Sequence, residues 1–133
     1  MNDEIKAILE DCTYGSDDER LTFPQVVSNL MAAGIERYHA DLQRSEKTYF
    51  LPAGESLLLE THRIDTKPGK VFDAAAVEAA IRAIQQGTIK YREFCERIMQ
   101  AGCVSYIVSL AGRRAVYYGR TGEIHVELFP KAA

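Results

Sequence analysis

Side chains that could provide a general base or ligands for a divalent metal alternate along residues 37 to 41. Arg37, His39 and Asp41 occupy every second position of the stretch "ERYHADL". Successive side chains of a β-strand point to opposite faces, so a strand here would place all three on one face. A carboxylate beside an imidazole can orient it as a general base, and both groups are common metal ligands.

A similar pattern recurs near the end of the chain, in "EIHVELF". Here Ile124, Val126 and Leu128 are the apolar set, and we expect them to face the core. The residues that alternate with them along the strand would then lie on the opposite face, together with His39. The candidate ligand-binding residues are Arg37, His39, Asp41, His125 and Glu127. No two histidines have local metal-ligand spacing, so we predict no metal site, and no residue is assigned a catalytic role.

This polar face has three interpretations. It is the solvated side of alternating strands, on which His, Asp, Glu and Arg are ordinary residues. Alternatively it binds or transforms a small molecule. In the third interpretation it is the seam of a homodimer, where the charges pair across a symmetry axis.

The elements that must position these residues follow one order in each half of the chain. The first half predicts a helix at residues 4–11, a polar loop in "TYGSDDER" and a second helix in "LTFPQVVSNLMAAG". Thr22 with Gln25 forms a capping box for that helix, and Gly34 suits its end. The strands that follow are predicted at residues 35–43, 47–51 and 56–62.

The second half repeats this order after a polar linker at residues 63–70. A helix over residues 74–86 begins at Asp73, and "YREFCERIMQAG" predicts the next one. In the following strand we expect Val104 on the apolar side and Cys103 on the other. The predicted strands are at about 104–110, 114–119 and 123–129.

The two halves also agree residue by residue. Residues 22–55 align with 90–123 without a gap, and eight of the 34 pairs are identical. About two identities are expected for unrelated sequences of average composition. The identical pairs include Gly34/Gly102, Tyr38/Tyr106 and Tyr49/Tyr117. We therefore predict an internal pseudo-repeat, residues 1–62 and 71–129.

Together these patterns predict one α+β domain over residues 1–133. It would contain two tandem helix-helix-strand-strand-strand units, an antiparallel meander sheet, and helices largely on one side. Because tyrosines recur at matched positions of both units, we interpret them as packing residues rather than a ligand-stacking surface.

Composition narrows the functional classes. The 133-residue chain has a net charge of −3 and a pI of about 5.6, which argues against nucleic-acid binding. The first residues are acidic, and no apolar run approaches the ~20 residues of a membrane span. The three cysteines lack CxxC spacing and predict reduced thiols, with Cys95 and Cys103 as core residues. A cytoplasmic protein without membrane or nucleic-acid partners is expected.

Motifs for cofactors are absent from the sequence. The glycines of "YGRTGE" lie in a predicted hairpin and not in a strand-to-helix phosphate loop. There is no GxSxG nucleophile elbow. We therefore predict no cofactor.

Several longer stretches resemble one known family. "TFPQVVSNLMAAGIERYHADL", "KTYF" with "PAGES", "FDAAAVEAAIRAIQQGTI" and "REFCERIMQAGCVSYIVSLAGRRAVYYGRTGEIHVELFP" are together similar to the domain-of-unknown-function family 1398. Its members are small bacterial proteins, often labelled as phage envelope proteins. The resemblance implies a compact cytosolic domain and carries no known activity, cofactor or site residue.

We predict a non-enzymatic binding or interaction domain of bacterial or prophage origin, in a homodimer or with another protein. The alternative is a small-molecule-binding protein or enzyme that uses His39 with Arg37 and Asp41, joined by His125 and Glu127.

Overall fold

The computed structural model describes residues 1–130, in which four helices pack on one face of a six-stranded antiparallel sheet. The helices are α1 Asp3–Asp17, α2 Phe23–Ala32, α3 Ala74–Gln85 and α4 Tyr91–Gln100. The strands are β1 Arg37–Asp41, β2 Glu46–Phe50, β3 Ser56–Glu60, β4 Cys103–Ser109, β5 Arg114–Gly119 and β6 Ile124–Leu128. Their order in the sheet is β3-β2-β1-β4-β5-β6. This confirms the predicted α+β fold.

The two halves of the chain meet in the middle of the sheet. Each half contributes two helices and then three strands, and β1 pairs with β4 so that His39 lies directly opposite Ile107. The common origin of the halves stays a prediction, as do the bounds of the linker at 63–70. The predicted domain extends to residue 133, and residues 131–133 lie outside those described.

The predicted helix caps are confirmed. The Thr22 hydroxyl accepts a hydrogen bond from the Gln25 amide, and the Gln25 side chain accepts one from the Thr22 amide at 2.8 Å. At the start of α3, Asp73 accepts from the Ala76 amide at 3.0 Å. Each cap pairs a backbone donor that the first helical turn leaves free.

The first helix is longer than predicted. Residues 12–17 continue α1, although a polar loop was expected over residues 13–20, and Thr13, Gly15 and Asp17 are buried in the helix. The Thr13 hydroxyl lies 2.8 Å from both the Leu9 carbonyl oxygen and the Tyr49 hydroxyl. The contact with Tyr49 of β2 is a tertiary one, and it offsets the weak helix propensity of Thr13.

Four tyrosines line the face of the sheet that the helices cover. The rings of Tyr49, Tyr38, Tyr106 and Tyr117 follow one another across β2, β1, β4 and β5. Successive centroids are 5.3, 6.3 and 5.4 Å apart, and all four rings are buried. Their predicted role in packing is confirmed.

The predicted orientation of β6 is wrong. His125 pairs with Tyr117 and therefore shares the helix-covered face, while Ile124, Val126 and Leu128 are 54%, 40% and 60% exposed. Apolar side chains were expected to face the core, but this edge strand presents them on the uncovered face. Because strand pairing fixes the face of every side chain, the register with β5 decides the matter.

A second correction concerns the start of β4. The pairing register of β4 with β5 shifts between Cys103 and Ser105, which is a β-bulge. The bulge turns Cys103 into the core, where it is fully buried as predicted for a core residue, and leaves Val104, which was expected on the apolar side, half-buried. Cys95 is also fully buried, as predicted. In residues 1–130, no helix is long and apolar enough to cross a membrane.

Candidate functional site

The sheet has one face without helices, which we call the open face. Its side chains form three rows across the six strands, from β3 to β6, because every neighbouring pair of strands is in register. The first row consists of Glu60, Glu46, Asp41, Ser105, Tyr118 and Ile124. The middle row consists of Leu58, Thr48, His39, Ile107, Val116 and Val126. The third row consists of Ser56, Phe50, Arg37, Ser109, Arg114 and Leu128.

The three rows differ in charge. The first row begins with three adjacent carboxylates, on Glu60, Glu46 and Asp41. The third row carries two guanidinium groups, on Arg37 and Arg114, and no acid. The middle row holds apolar side chains with one threonine and one histidine. The open face is therefore acidic along one side, basic along the other and largely apolar between them.

His39 lies at the centre of this face. Its ring centroid is 5.0 Å from that of Phe50, and the Arg37 guanidinium carbon is 4.2 Å from the same Phe50 centroid. Arg37 also contacts the Glu36 carboxylate. Partial burial, with a smaller contribution from the positive charge of Arg37, lowers the pKa of His39. At neutral pH the centre of the open face is therefore an uncharged imidazole.

Asp41 does not orient His39. Its Oδ1 accepts hydrogen bonds from the amides of Gln43 and Arg44, at 3.1 and 3.0 Å, and so holds the turn between β1 and β2. Arg37, His39 and Asp41 share a face as predicted, but none of the hydrogen bonds of residues 1–130 joins one of them to another. The arrangement therefore lacks the carboxylate–imidazole pair that was expected to orient His39 as a general base.

His125 and Glu127 lie on the other face of the sheet. Glu127 accepts a hydrogen bond from Arg82 of α3 at 2.6 Å. The Nε2 atom of His125 is 3.5 Å from a Glu127 oxygen without hydrogen-bond geometry, and it is sealed from solvent. The sheet thus separates this pair from His39, and the five predicted residues do not form one cluster.

The helix-covered face contains a polar group that was not predicted from the sequence, the lysine cluster. We define it as Lys47, Tyr38, Tyr91, Asp17 and His62. Lys47 is 3% exposed, and its Nζ atom lies 4.6 Å from the centroid of the Tyr91 ring and 5.7 Å from that of Tyr38. His62 Nδ1 is 2.9 Å from Asp17 Oδ1, and the His62 amide donates to Asp17 Oδ2 at 2.9 Å.

A signal for Lys47 was present in the aligned halves. The position equivalent to Lys47 is Ala115, and both lie two residues before a matched tyrosine, Tyr49 or Tyr117. Residues two apart in a strand share a face, so this alternation placed a lysine among core tyrosines. The pairing of Asp17 with His62 joins residues 45 positions apart and had no such signal.

Comparisons with known proteins identify a family whose description names no activity. A family model described as "Protein of unknown function (DUF1398)" matches residues 14–127, which confirms the resemblance found in the sequence. Uncharacterised proteins of Mycobacterium tuberculosis and Mycobacterium bovis are each 28% identical over 115 residues. The matched region covers 79% of this chain and 65% of each relative, so the chain spans just under two thirds of their length.

Proposed function

Because this chain belongs to DUF1398, whose description assigns no function, we propose from its geometry that it is a protein–protein interaction domain that forms a homodimer through the open face. One observation carries the proposal: this face is uncovered, apolar in its middle row, and oppositely charged along its two sides. Leu58, Ile124 and Leu128 on it are each more than half exposed. Contiguous exposed apolar surface is typical of interaction sites.

The charge pattern selects one symmetry for the dimer. A twofold axis that runs across the strands, along the middle row, would place the first row of one copy over the third row of its partner. Asp41 then faces the partner's Arg37, Tyr118 faces the partner's Arg114, and Ile124 faces the partner's Leu128. The middle row of one copy faces the middle row of the other, with His39 opposite the partner's His39. An axis along the strands would instead place Glu60 over the partner's Ile124, Glu46 over the partner's Tyr118 and Asp41 over the partner's Ser105, so that no acid would face a base.

The area of the open face is sufficient for a specific interface. Six strands about 4.8 Å apart and five residues long, at about 3.4 Å per residue, outline roughly 500 Å². Two copies thus bury roughly 1,000 Å² in total, without the additional area of protruding side chains. This total is near the lower limit for a specific interface. Two sheets that pack face to face with their strands nearly aligned form an ordinary β-sandwich.

Charge reversal tests the proposed symmetry. We expect the wild-type chain to sediment as a dimer in analytical ultracentrifugation. Asp41→Arg or Arg37→Asp alone should raise the dimer dissociation constant at least about tenfold, or about 1.4 kcal/mol, because each creates two like-charge pairs. A mixture of the two variants should form a heterodimer, since the arginine introduced at position 41 of one chain then faces the aspartate introduced at position 37 of the other.

Two further measurements control this test. Val126→Asp should weaken the dimer, whereas Val71→Asp, at a position 77% exposed and outside the open face, should not. A wild-type chain that stays monomeric at about 1 mM would contradict the proposal. A monomer whose melting temperature is raised by a metabolite, but not in His39→Ala, would favour the small-molecule alternative instead.

A further inference from the structure

The outer edge of β6 is a strand edge without a partner. β6 is the last strand of the sheet, and β5 is the only strand of residues 1–130 that pairs with it. The Gly119 amide donates to the Glu123 carbonyl oxygen at 2.7 Å at one end of this pair. At the other end, the Phe129 amide donates to the Arg113 carbonyl oxygen at 2.9 Å. Hydrogen-bonded pairs alternate along an antiparallel ladder, so the odd-numbered residues of β6 bond to β5. The outward-pointing N–H and C=O groups belong to Ile124, Val126 and Leu128.

The β6 edge also lacks the features that commonly keep strand edges from pairing. Natural edge strands are protected by lysine or proline, by a β-bulge or by a covering element. β6 contains no lysine and no proline, and its register with β5 is continuous. Its outward-pointing residues are also those whose apolar side chains lie on the open face. This edge is therefore suited to a further strand that carries apolar side chains at alternate positions.

A second copy of β6 meets this requirement in one register. Antiparallel pairing about a twofold axis at Val126 places Ile124 opposite the partner's Leu128, and Val126 opposite the partner's Val126. All the outward-pointing residues then form hydrogen-bonded pairs, with two N–H···O bonds in each. On the helix-covered face, His125 lies opposite the partner's Glu127, so an imidazole meets a carboxylate.

The neighbouring registers are less favourable. An axis at His125 would place Glu123 opposite the partner's Glu127, and an axis at Glu127 would place two copies of this carboxylate opposite each other. Like charges in directly opposite positions destabilise an antiparallel pair. Each of these registers would also leave one outward-pointing residue of every chain without a partner in β6. The sequence of β6 thus favours the register centred on Val126.

We propose that β6 is a second self-association surface, at which the outer edges of two copies pair antiparallel about Val126. The two six-stranded sheets then continue into one sheet of twelve strands. A buried polar atom supports this assignment. His125 Nε2 is a buried side-chain nitrogen that makes no hydrogen bond within residues 1–130. The pairing brings a further carboxylate, the partner's Glu127, to the same residue.

The β6 pair does not require the open-face homodimer, but the two together define a closed assembly. The twofold axis of the β6 pair is perpendicular to the sheet and passes through Val126. The axis proposed for the open face runs along the middle row, which ends at the same residue. Twofold axes that cross at right angles generate a closed tetramer. This tetramer rests on the proposed function, whereas the β6 pair does not. One strand pair buries less surface than the open face, so dimers should form first and tetramers as the concentration rises.

Analytical ultracentrifugation of a backbone variant tests the β6 pair separately from the open face. The full-length Arg37→Asp chain is the background, because this substitution disrupts the open-face dimer and lies far from β6. We expect this chain to form a dimer at about 1 mM. Adding Val126→Pro removes an outward N–H group and leaves the ladder with β5 intact, so it should raise the dissociation constant at least about tenfold. Val126→Ala is the matched control, since it shortens the side chain and keeps the N–H group.

The outcomes of this experiment are distinct. Equal dissociation constants for Val126→Pro and Val126→Ala would overturn the inference, as would an Arg37→Asp chain that stays monomeric. Wild-type association that continues beyond four chains would also overturn it, because β6 would then pair with the opposite edge strand, β3. A wild-type chain that pairs only through β6 would contradict the proposed function and leave this inference intact.

Cysteine cross-linking tests the register. Residues opposite each other in a non-hydrogen-bonded pair have Cα atoms about 4.5 Å apart, a distance that a disulfide spans. A mixture of His125→Cys and Glu127→Cys chains should therefore form a mixed disulfide dimer on oxidation, whereas a mixture of His125→Cys with Val71→Cys should not. The native cysteines are buried and do not compete. A disulfide that forms as readily in either variant alone as in the mixture would overturn the register centred on Val126.

Discussion

At the scale of single residues, Lys47 opposes the stability of the fold to which it belongs. Its ammonium loses hydration on folding and lies against the rings of Tyr91 and Tyr38. Replacement of a buried charge by an apolar side chain of similar length is often neutral or stabilising. An unfavourable residue in an otherwise apolar core is typical of a functional position.

We therefore expect Lys47→Met to raise the free energy of unfolding by about 1–2 kcal/mol near pH 7. The pKa of Lys47 is lower in the folded state than its ordinary 10.5, so the penalty is fully present below the folded pKa. It disappears as the pH rises through the interval up to 10.5, because only the unfolded chain then binds the proton. Urea unfolding at about pH 7 and about pH 10 measures this convergence.

Lys67→Met provides the matched control, since Lys67 is exposed and should show no such convergence. A difference between Lys47→Met and the wild type that stays constant over this pH range would show that the folded state does not disfavour the lysine charge.

The sequence predicted residues that share a strand better than residues that meet in space. Alternation placed Arg37, His39 and Asp41 on one face, and matched tyrosines predicted packing. The alternation of side chains along a strand could not predict that Asp17 and His62 are in contact. Their contact depends on where α1 ends and where the chain leaves β3. Nor could it detect that Asp41 holds a turn, which is a short-range backbone contact.

At the scale of elements, α2 and α4 are both followed by a glycine, but the two glycines have different surroundings. Gly34 and Gly102 follow the two helices with φ of 78° and 91°, a region in which residues other than glycine are strained. A Cβ atom on Gly34 would meet nothing within 4 Å. One on Gly102 would lie 2.6 Å from the Val71 carbonyl oxygen and 2.8 Å from the Phe72 Cα atom.

The two glycines thus form an internal comparison. Gly34→Ala should cost about 1 kcal/mol from backbone strain alone. Gly102→Ala should cost about 1–3 kcal/mol more, because the segment at residues 71–72 must also move. Chemical denaturation of both variants measures the difference. Equal losses would mean that residues 71–72 yield freely and do not anchor the end of α4.

Caps and glycines predicted element boundaries well. Small polar residues predicted them poorly, because they indicated a loop where α1 continues. The ends of α2 carry local signals, so its bounds were found. The second half of α1 contains Thr13 and Asp17, which contact Tyr49 and His62 far along the chain, and Gly15, which lies against Leu21 just beyond the helix. The apolar side chains of β6 were predicted to face the core. The prediction failed because the open face is also apolar at this edge of the sheet.

At the scale of the whole molecule, the proposed homodimer brings two copies of His39 together on its axis. Burial and Arg37 already hold the pKa of His39 below 6.5 in the single chain. Protonation would add two positive charges beside each other and beside Arg37. Dimer stability is therefore fully present above the ordinary pKa of 6.5 and is lost as the pH falls through the lowered value.

We expect the dimer dissociation constant to rise between about pH 7 and about pH 5, as followed by analytical ultracentrifugation. His39→Gln keeps a neutral side chain of similar size and should remove most of this dependence. A dependence that is unchanged in His39→Gln would place the titrating group elsewhere on the interface.

The central pairing of β1 with β4 has a consequence for synthesis of the protein on the ribosome. The inner edge of β1 has no partner until β4 is made, about 60 residues later. At about 5–20 residues per second this interval lasts roughly 3–12 s. During it the nascent chain presents an unpaired strand edge that neighbouring nascent chains can also bind. Slow translation between the two halves therefore lengthens the period in which this protein is exposed to misassembly.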